Sequence, residues 1–425
     1  MKLSLDQLAA QLESTLGSDS VTVAASTVSS YPSMDGKQSR LLCRPESAEH
    51  IAAALRVCTE AEAAVIPWGG GTAMAIGNLL RQTDVIIETS KLDQLIEHDH
   101  ANLTATLQSG ITLSGLHAAL AREQQFAPLD APFPGRSTVG GIVAANLNGP
   151  RRSYYGSVRD LVIGMKVALV DGERIKAGGK VVKNVAGYDM CKLFVGSLGT
   201  LGIITEVTLR MAPIAESAAA VISSGTLNEA ERFNEELSRS PLLPAAVVLE
   251  KDGASETWRL AVWCEGFEET VARHLHDLKA IATSTGMNAD ALPAEERSAF
   301  WRRLCDFPLQ PDLMVYRVTL PRAKIFEFVA LVRNWSGWPL VGDIAAGTVW
   351  LASTPSPSAM EQFPRLIEAA RQWHGHTVLF AAPDTFKREI DVWGPAPVTL
   401  SLQREIKRQF DAKGLLNPGR FPAGI

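Results

Sequence analysis

Apolar positions in the first half of the chain follow two spacings in turn. Helical spacing occurs in three sets: Leu5, Leu8, Leu12, Leu16, then Ala48, Ile51, Ala52, Leu55, then Leu113, Leu116, Leu120 with Thr112 as the N-cap. Strand patterns lie at residues 64–66, 84–88, 103–107, 162–170 and 203–210. The dipeptide Asp171-Gly172 predicts a hairpin after the fourth of these strands. Helices therefore alternate with strands up to about residue 213.

The pattern changes after residue 213, where glycine becomes less frequent. Helices are predicted at residues 227–240, 267–284, 294–304, 322–333 and 357–373. Strands are predicted at residues 244–250, 256–263, 313–319, 347–352 and 376–380. This mixture indicates a separate α+β domain. A last helix at 402–410 precedes a closing turn, and the sequence shows no internal repeat.

Length and charge narrow the class of protein. The 425 residues are enough for two substantial cores. The net charge of −5 argues against a general nucleic-acid binder, because phosphate neutralisation needs a basic surface. The pair Arg151-Arg152 could still meet a small anion. We expect no membrane-spanning segment, since no apolar stretch approaches about 20 residues.

The cysteines and the N-terminal pattern indicate the compartment. The five cysteines are scattered and form no C-x-x-C, so we expect no disulfide scaffold, no iron–sulfur ligand set and no metal site. The first residues lack the pattern of a signal peptide. These features predict a cytoplasmic protein with at most a peripheral membrane contact through its partners.

Candidate chemistry begins with the segment Pro67, Trp68, Gly69, Gly70, Gly71 and Thr72. Three glycines after a buried strand can turn their amides toward one anion, because glycine tolerates positive φ. A Walker A loop is excluded by the missing lysine, and the Rossmann pattern fails at Met74. Taken alone, the segment is also compatible with a bare flexible turn.

Two further segments share this small-residue character. The second contains Thr138, Gly140, Gly141 and Asn146, and continues from Asn148 to Gly156. The third contains residues 183–189 and continues through Gly196, Gly199 and Gly202 to Ile204. Glycines beside small residues allow a close approach to a flat ligand. Each segment alone could be loop architecture, but their joint order is far more specific.

With the three small-residue segments in this order, the sequence resembles the vanillyl-alcohol-oxidase-type FAD-binding superfamily. Within it, the sequence resembles the FAD-binding subunits of bacterial glycolate oxidases. The likeness is closest at residues 149–213 and returns at 300–304, 350–353 and 416–420. It implies an α+β fold, with a two-subdomain PCMH-type FAD-binding domain and a smaller, ferredoxin-like α+β cap domain. The implied division is a lead-in at 1–36, the FAD domain at 37–213, the cap at 214–398 and a tail at 399–425 that returns to the FAD domain.

The resemblance also implies which residues contact FAD. Residues 67–72 would hold the pyrophosphate, and Gly202 and Ile204 would approach the isoalloxazine by backbone contacts. The remaining residues that it implies for the cofactor are Pro134, Thr138, Gly140, Gly141, Asn146, Gly149, Gly156, Asn417 and Arg420. Some relatives bind flavin covalently through a histidine near the glycine loop. Because Trp68, Thr72 and Met74 occupy that neighbourhood, we expect dissociable FAD.

The sequence departs from relatives that oxidise D-2-hydroxy acids. Their second domain has a histidine-rich metal motif and a Glu-His-Gly segment, whereas the nearest counterparts here are residues 342–347 and 391–395, without those histidines or the glutamate. Oxidising a 2-hydroxy acid requires an arginine for the carboxylate and a base for the hydroxyl proton. Arg317 is the candidate arginine. His376 is the best single candidate base, but the sequence favours a histidine with only a structural role at this position.

Three hypotheses follow. The first is an FAD-binding subunit of a glycolate-type oxidase complex that relays electrons, with a catalytic FAD-linked oxidase subunit and an iron–sulfur subunit as partners. The second is an autonomous FAD-dependent dehydrogenase for a small 2-hydroxy acid. The third is an interaction protein that keeps the fold without FAD.

Overall fold

A computed structural model describes residues 3–23, 39–180, 188–253, 255–333 and 337–425. Residues 183–187 of the third small-residue segment lie outside the described residues. The described chain forms three main sheets of four, five and eight strands, together with a two-stranded ribbon.

The four-stranded sheet is built from residues near the N-terminus. Its strands are β1 (Val21–Thr22), β2 (Leu41–Cys43), β3 (Val65–Trp68) and β4 (Val85–Glu88), in the order β1-β2-β4-β3. Helices α1 (Leu5–Leu16) and α2 (Ala48–Glu60) bury their apolar faces in one core with this sheet. Strands β2, β4 and β3 are parallel and almost fully buried, which explains why they read as continuous apolar runs.

The five-stranded sheet is antiparallel, with the order β5-β6-β10-β8-β9. Its strands are β5 (Leu95–Asp99), β6 (Thr104–Gln108), β8 (Val162–Ala168), β9 (Arg174–Gly178) and β10 (Ile203–Arg210), and β7 (Gln125–Phe126) pairs with β11 (Ala212–Pro213) beside it. The helices of this region are α3 (Leu113–Leu120), α4 (Val139–Ala145), α5 (Arg152–Tyr155), α6 (Val158–Leu161) and α7 (Cys191–Phe194). The predicted hairpin after β8 is confirmed, since β8 and β9 pair antiparallel around Asp171 and Gly172.

The eight-stranded sheet contains a repeat of topology that the sequence does not reveal. Its strands are β12 (Ser217–Gly225), β13 (Ala246–Lys251), β14 (Trp258–Gly266), β15 (Asn288–Ala291), β16 (Met314–Thr319), β17 (Leu340–Asp343), β18 (Thr348–Ser353) and β19 (His376–Ala381). The order β15-β12-β14-β13-β17-β18-β16-β19 joins two four-stranded halves through β13 and β17. Each half has the β-α-β-β-α-β order of a ferredoxin-like unit.

Helices cover one face of this eight-stranded sheet. They include α8 (Leu227–Arg239), α9 (Glu268–Thr285), α11 (Ile325–Val332) and α12 (Pro357–Arg371), while α10 (Ala294–Asp306) connects the two halves. The opposite face packs toward the five-stranded sheet, where Val248, Val315 and Phe380 join the same core as Ile142 and Val207. This sheet begins just after the boundary placed at residues 213/214, and the division into domains stays a prediction.

The C-terminal tail returns to the first sheet. Helix α13 (Leu400–Phe410) precedes a turn in which the amide of Val65 donates to Leu415 and the amide of Asn417 donates to Val65. These bonds extend the parallel edge of β3 by one bridge, between Val65 and Leu416. The tail therefore ends beside the glycine-rich turn that follows β3.

Most predicted elements are present, and the errors have identifiable causes. The N-cap at Thr112 is confirmed, since its side chain accepts from the amide of Gly115. Strands β5, β12 and β17 were not predicted, because they lack clear alternation or consist largely of small residues. Helix α4 was also missed, because Gly140 and Gly141 read as loop. Tertiary packing overrides their low helix propensity.

Candidate functional site

The glycine turn, residues 67–72, leaves its main-chain amides free for a ligand. Among the described residues, the amides of Gly69, Gly70, Gly71 and Thr72 donate to no other protein group. Consecutive unpaired amides form a concave nest that binds anions. The strand that ends at Trp68 fixes where this turn begins.

Close packing of the protein itself requires glycine at this turn and in α4. A Cβ on Gly70 would lie 1.7 Å from the carbonyl oxygen of Arg136, and a Cβ on Gly140 would lie 2.6 Å from the Cβ of Ser109. The sequence attributed Gly70 to a turn that aims its amides at an anion, and Gly140 to the close approach of a flat ligand. The structure gives a different reason, because protein atoms already exclude a side chain at both positions.

Three buried polar atoms without hydrogen-bond partners among the described residues face the same cavity. They are Oγ of Ser109, Oδ1 of Asn417 and Nη2 of Arg420. Burial lowers the pKa of Arg420 to about 10, so the side chain stays charged at neutral pH. An unpaired buried cation is costly unless a ligand completes the site. These atoms and the free amides fit a bound dinucleotide with two phosphates.

This glycine cavity collects most of the residues predicted for the cofactor. It is a partly open space of about 740 Å³, a volume that includes solvent at its mouth. The predicted residues that line it are Pro67, Trp68, Gly69, Gly70, Gly71, Thr72, Thr138, Gly140, Gly141, Gly202, Ile204, Asn417 and Arg420. The segments that the sequence singled out therefore meet around one space.

Four predicted cofactor residues lie elsewhere. Asn146 and Gly149 line a neighbouring cavity, and Pro134 lines a further cavity beside Arg151. Gly156 follows α5 as its C-cap, with a φ of +101°. The first two residues continue directly from α4, whose Ala144 and Ala145 line the glycine cavity. Both cavities thus reach the C-terminal end of α4.

The neighbouring cavity, which we call the arginine cavity, lies against the eight-stranded sheet. Arg152, Arg317, Asp343, Trp350 and Phe380 line it. The guanidinium of Arg317 lies 5.1 Å from the centre of the Phe380 ring, and its Nε has no hydrogen-bond partner among the described residues. Burial, and then the positive charge of Arg152, lower the pKa of Arg317 to about 10. Arg317 therefore keeps its charge at neutral pH and offers it to an anion.

Of the two predicted catalytic residues, only Arg317 lines this cavity. His376 is exposed at the start of β19. It lies directly opposite Thr319 in the sheet and hence on the same face as Arg317. Burial and then the positive charge of Arg317 lower the pKa of His376. His376 thus lies at the solvent edge of this face.

Sequence reasoning missed Asp343 and did not separate Arg152 from Arg151. Asp343 is 6% exposed, and burial raises its pKa to about 7. The pair Arg151-Arg152 indicated an anion patch, but the two side chains diverge. Arg151 binds Asp130 and Glu265, whereas Arg152 lines the cavity at its exposed edge. No local pattern marks Asp343, since its surroundings come from distant segments.

Comparison with known proteins shows the family to which this chain belongs. A family model for an FAD binding domain matches residues 39–178. Glycolate oxidase subunit GlcE of Escherichia coli (strain K12) is 31% identical over 342 residues, which cover 78% of this chain and 85% of that relative. The chain belongs to this FAD-binding family. Glycolate oxidase subunit GlcD of Bacillus subtilis (strain 168) is 26% identical over 414 residues, covering 89% of this chain and 87% of that family member.

A further family member extends the range of named activities. The D-lactate dehydrogenase of Archaeoglobus fulgidus is 31% identical over 410 residues, covering 89% of this chain and 90% of that protein. As in this family, FAD is the cofactor of this chain, which is an oxidoreductase acting on CH–OH groups. The hypothesis of an interaction protein without FAD is therefore wrong.

Solved structures confirm the predicted fold class. p-Cresol methylhydroxylase with substrate bound superimposes with a TM-score of 0.76 at 15% identity, over 98% of this chain and 96% of that chain. At such low identity the likeness shows the fold alone. In the described part of the chain, no group of three or more histidine, cysteine or acidic residues could hold a metal ion. No helix in that part is long and apolar enough to cross a membrane.

Replacing Arg420 by methionine should separate folding from cofactor binding. Because the cost of burial outweighs the attraction of Asp384 and lowers the pKa of Arg420, we expect the apoprotein to keep or gain stability in urea. FAD affinity should fall about 10- to 100-fold, the effect of losing one charged hydrogen bond. Fluorescence titration of apoprotein with FAD measures this loss, and Arg404→Met on exposed α13 is the control. Unchanged affinity in Arg420→Met would remove Arg420 from the cofactor site.

Proposed function

We propose that this chain is the FAD-binding subunit of a complex that oxidises a small 2-hydroxy acid of the glycolate class. In this proposal FAD lies in the glycine cavity and the hydroxy acid enters the arginine cavity. The observation that carries the proposal is that both cavities reach the C-terminal end of α4. One cavity offers free amides, and the other is lined by Arg152 and by Arg317, whose Nε has no hydrogen-bond partner among the described residues.

The residues of the glycine cavity would hold FAD without a covalent bond. Amides of residues 69–72 would bind the pyrophosphate, and Arg420 with Asn417 would supply further polar contacts. Among the described residues that line this cavity there is no histidine or cysteine, the side chains that a covalent flavin link would use. The bound cofactor would supply a two-electron acceptor for the hydride of the substrate.

The arginine cavity would select a carboxylate. Arg317 presents a rigid fork of donors on β16, and Arg152 adds a second cation from α5. Trp350 and Phe380 form apolar walls beside the fork, which reduces the competition from water for the charged contacts. A small 2-hydroxy acid provides both the carboxylate and the polar group beside it that this cavity can bind.

We further propose that the chain works with a catalytic FAD-linked oxidase subunit and an iron–sulfur subunit. Two relatives are named as subunits of glycolate oxidase, which supports an assembly of this kind. A cytoplasmic location is part of the proposal, with membrane contact only through partners. The five cysteines support it, because all are buried free thiols, as reducing compartments favour.

Anaerobic reduction of the flavin tests this function. Glycolate or D-lactate is added to the purified chain, alone and after addition of the two partner subunits, and the visible absorbance of the flavin is followed. Bleaching in the chain alone would favour the autonomous dehydrogenase. Bleaching that requires the partners supports a subunit, and no bleaching of this chain's flavin under either condition would contradict the proposal.

Arg317→Met is expected to weaken substrate binding more than cofactor binding. Loss of one charge-assisted contact costs about 1.5–3 kcal/mol, which corresponds to a rise of roughly 10- to 100-fold in the glycolate concentration for half-maximal reduction. In Arg317→Lys this glycolate concentration should lie between the values for wild type and Arg317→Met, because lysine keeps the charge but loses the forked set of donors. FAD content should stay unchanged in both variants, and equal glycolate dependence in all three proteins would exclude Arg317 from the substrate site.

A further inference from the structure

One row of the eight-stranded sheet carries only polar side chains across four strands. Asp343 lies opposite Thr348, Thr348 lies opposite Thr319, and Thr319 lies opposite His376. Residues directly opposite one another in neighbouring strands share a face of the sheet. The row therefore runs from buried Asp343 to exposed His376.

The next row on this face is different in character. It contains Val341, Trp350, Arg317 and Val378, again directly opposite one another across the same four strands. Arg317 is thus displaced from Asp343 by two strands and one row. The arginine cavity lies over both rows, so a ligand held by Arg317 is presented to the polar row.

The carboxylate of Asp343 accepts few hydrogen bonds for a buried acid. Oδ1 accepts from the amide of Ala346 at 3.1 Å, and no other hydrogen bond reaches the group from the described residues. Burial accounts for most of the upward pKa shift, Arg152 opposes it and Asp130 adds to it. The other titratable groups of this region are Arg317, His376 and the Cys305 thiol, whose pKa burial raises well above its ordinary value. Asp343 thus changes its charge near neutral pH.

We propose that Asp343 is the group that accepts the hydroxyl proton of the 2-hydroxy acid bound in the arginine cavity. This inference rests on the proposed function. The O–H bond of the substrate breaks and its proton passes to the carboxylate of Asp343. The C2–H bond breaks with its electron pair, which leaves as a hydride to the cofactor, and C2=O forms to give the 2-oxo acid.

The pH dependence of flavin reduction should report this role, and Asp343→Asn removes it. For the wild-type holoprotein, the rate of anaerobic reduction by glycolate should rise about tenfold per pH unit below about 7 and level off above it, because only the ionised carboxylate accepts a proton. In Asp343→Asn the rate should fall roughly 10²- to 10⁴-fold and lose this pH dependence. Asp343→Glu keeps a carboxylate and should recover part of the rate.

Two readouts do not depend on turnover. By calorimetry, acetate, which lacks the hydroxyl group, should bind wild type and Asp343→Asn equally, so a general collapse of the cavity would be visible. The second is urea unfolding as a function of pH. Since burial raises the pKa of Asp343, the native state binds this proton more tightly than the unfolded state does. Wild type should lose stability relative to Asp343→Asn from about pH 4 to about 7, and the difference should stay constant above.

The outcomes separate this inference from the proposed function. If glycolate reduces the wild-type flavin but Asp343→Asn keeps the rate and the pH profile, Asp343 is not the acceptor and the proposed function stands. If glycolate fails to reduce the wild-type flavin at any pH, with or without partners, the proposed function falls and this inference falls with it. A stability difference between the two proteins that does not vary with pH would also overturn the inference.

Discussion

Replacing Arg151 by methionine should destabilise the protein by about 3–5 kcal/mol, because it leaves two carboxylates buried without their cation. Arg151 binds Asp130 at 2.6 Å and Glu265 at 2.8 Å, and both acids are almost fully buried. Glu265 also accepts from Trp263 and Tyr155. This cluster joins the loop that carries Asp130 to strand β14 of the eight-stranded sheet.

Urea unfolding at neutral pH measures this loss, with Arg159→Met as an exposed control expected to change stability by less than about 0.5 kcal/mol. Adding Glu265→Gln to Arg151→Met should recover part of the stability, because one stranded charge is removed. Such non-additivity is the signature of direct coupling. Additive losses in the double variant would show that the ion pair is not what holds these segments. The glycolate concentration for half-maximal flavin reduction should also rise in Arg151→Met, because the next residue, Arg152, lines the arginine cavity.

Lys407→Met should cost a similar amount, about 3–5 kcal/mol, and should also weaken FAD binding. The ammonium of Lys407 contacts Asp411 at 2.7 Å and donates to the carbonyl oxygens of Thr200 and Leu416. Asp411 has no exposed side-chain surface and binds the amides of the following turn. This turn leads to Asn417 and Arg420, which line the glycine cavity.

Unfolding must be measured on apoprotein, because bound FAD stabilises the native state by mass action. FAD titration of the same sample then gives the loss of affinity. Lys413→Met is the matched control, since Lys413 lies close to the same turn but is 47% exposed. It forms an ion pair with an exposed Glu62 and donates to the carbonyl oxygen of Thr59. Its loss should stay within about 1 kcal/mol. If Lys407→Met keeps full FAD affinity, the tail is not what orders the cofactor cavity.

Helices and caps could be predicted where the sequence signal lies within a few neighbouring residues. The apolar spacing of α1 and the cap at Thr112 depend only on neighbours within a few residues, and both are confirmed. Helix α4 and strand β12 could not be predicted in this way. Ser109, distant in sequence, leaves no room for a side chain at Gly140, and the small residues of β12 form a strand between β14 and β15.

The candidate site shows the same division. The order of the three small-residue segments was enough to predict the FAD-binding family. The different environments of Arg151 and Arg152 were not visible in the sequence, because Asp130 and Glu265 bind one guanidinium and no acid binds the other among the described residues. Asp343 carried no sequence signal as a base, since its raised pKa comes from burial beneath distant segments.

The sequence by itself indicated the class of cofactor and the α+β fold, through its resemblance to a known family. That resemblance could be recognised because turns, caps and glycine spacing are properties of short segments. Only the tertiary structure decided which polar groups remain without partners around a cavity. It also decided which face of the eight-stranded sheet Arg317, Asp343 and His376 share. The reason is physical: charge and protonation depend on burial and on neighbours brought together from distant parts of the chain.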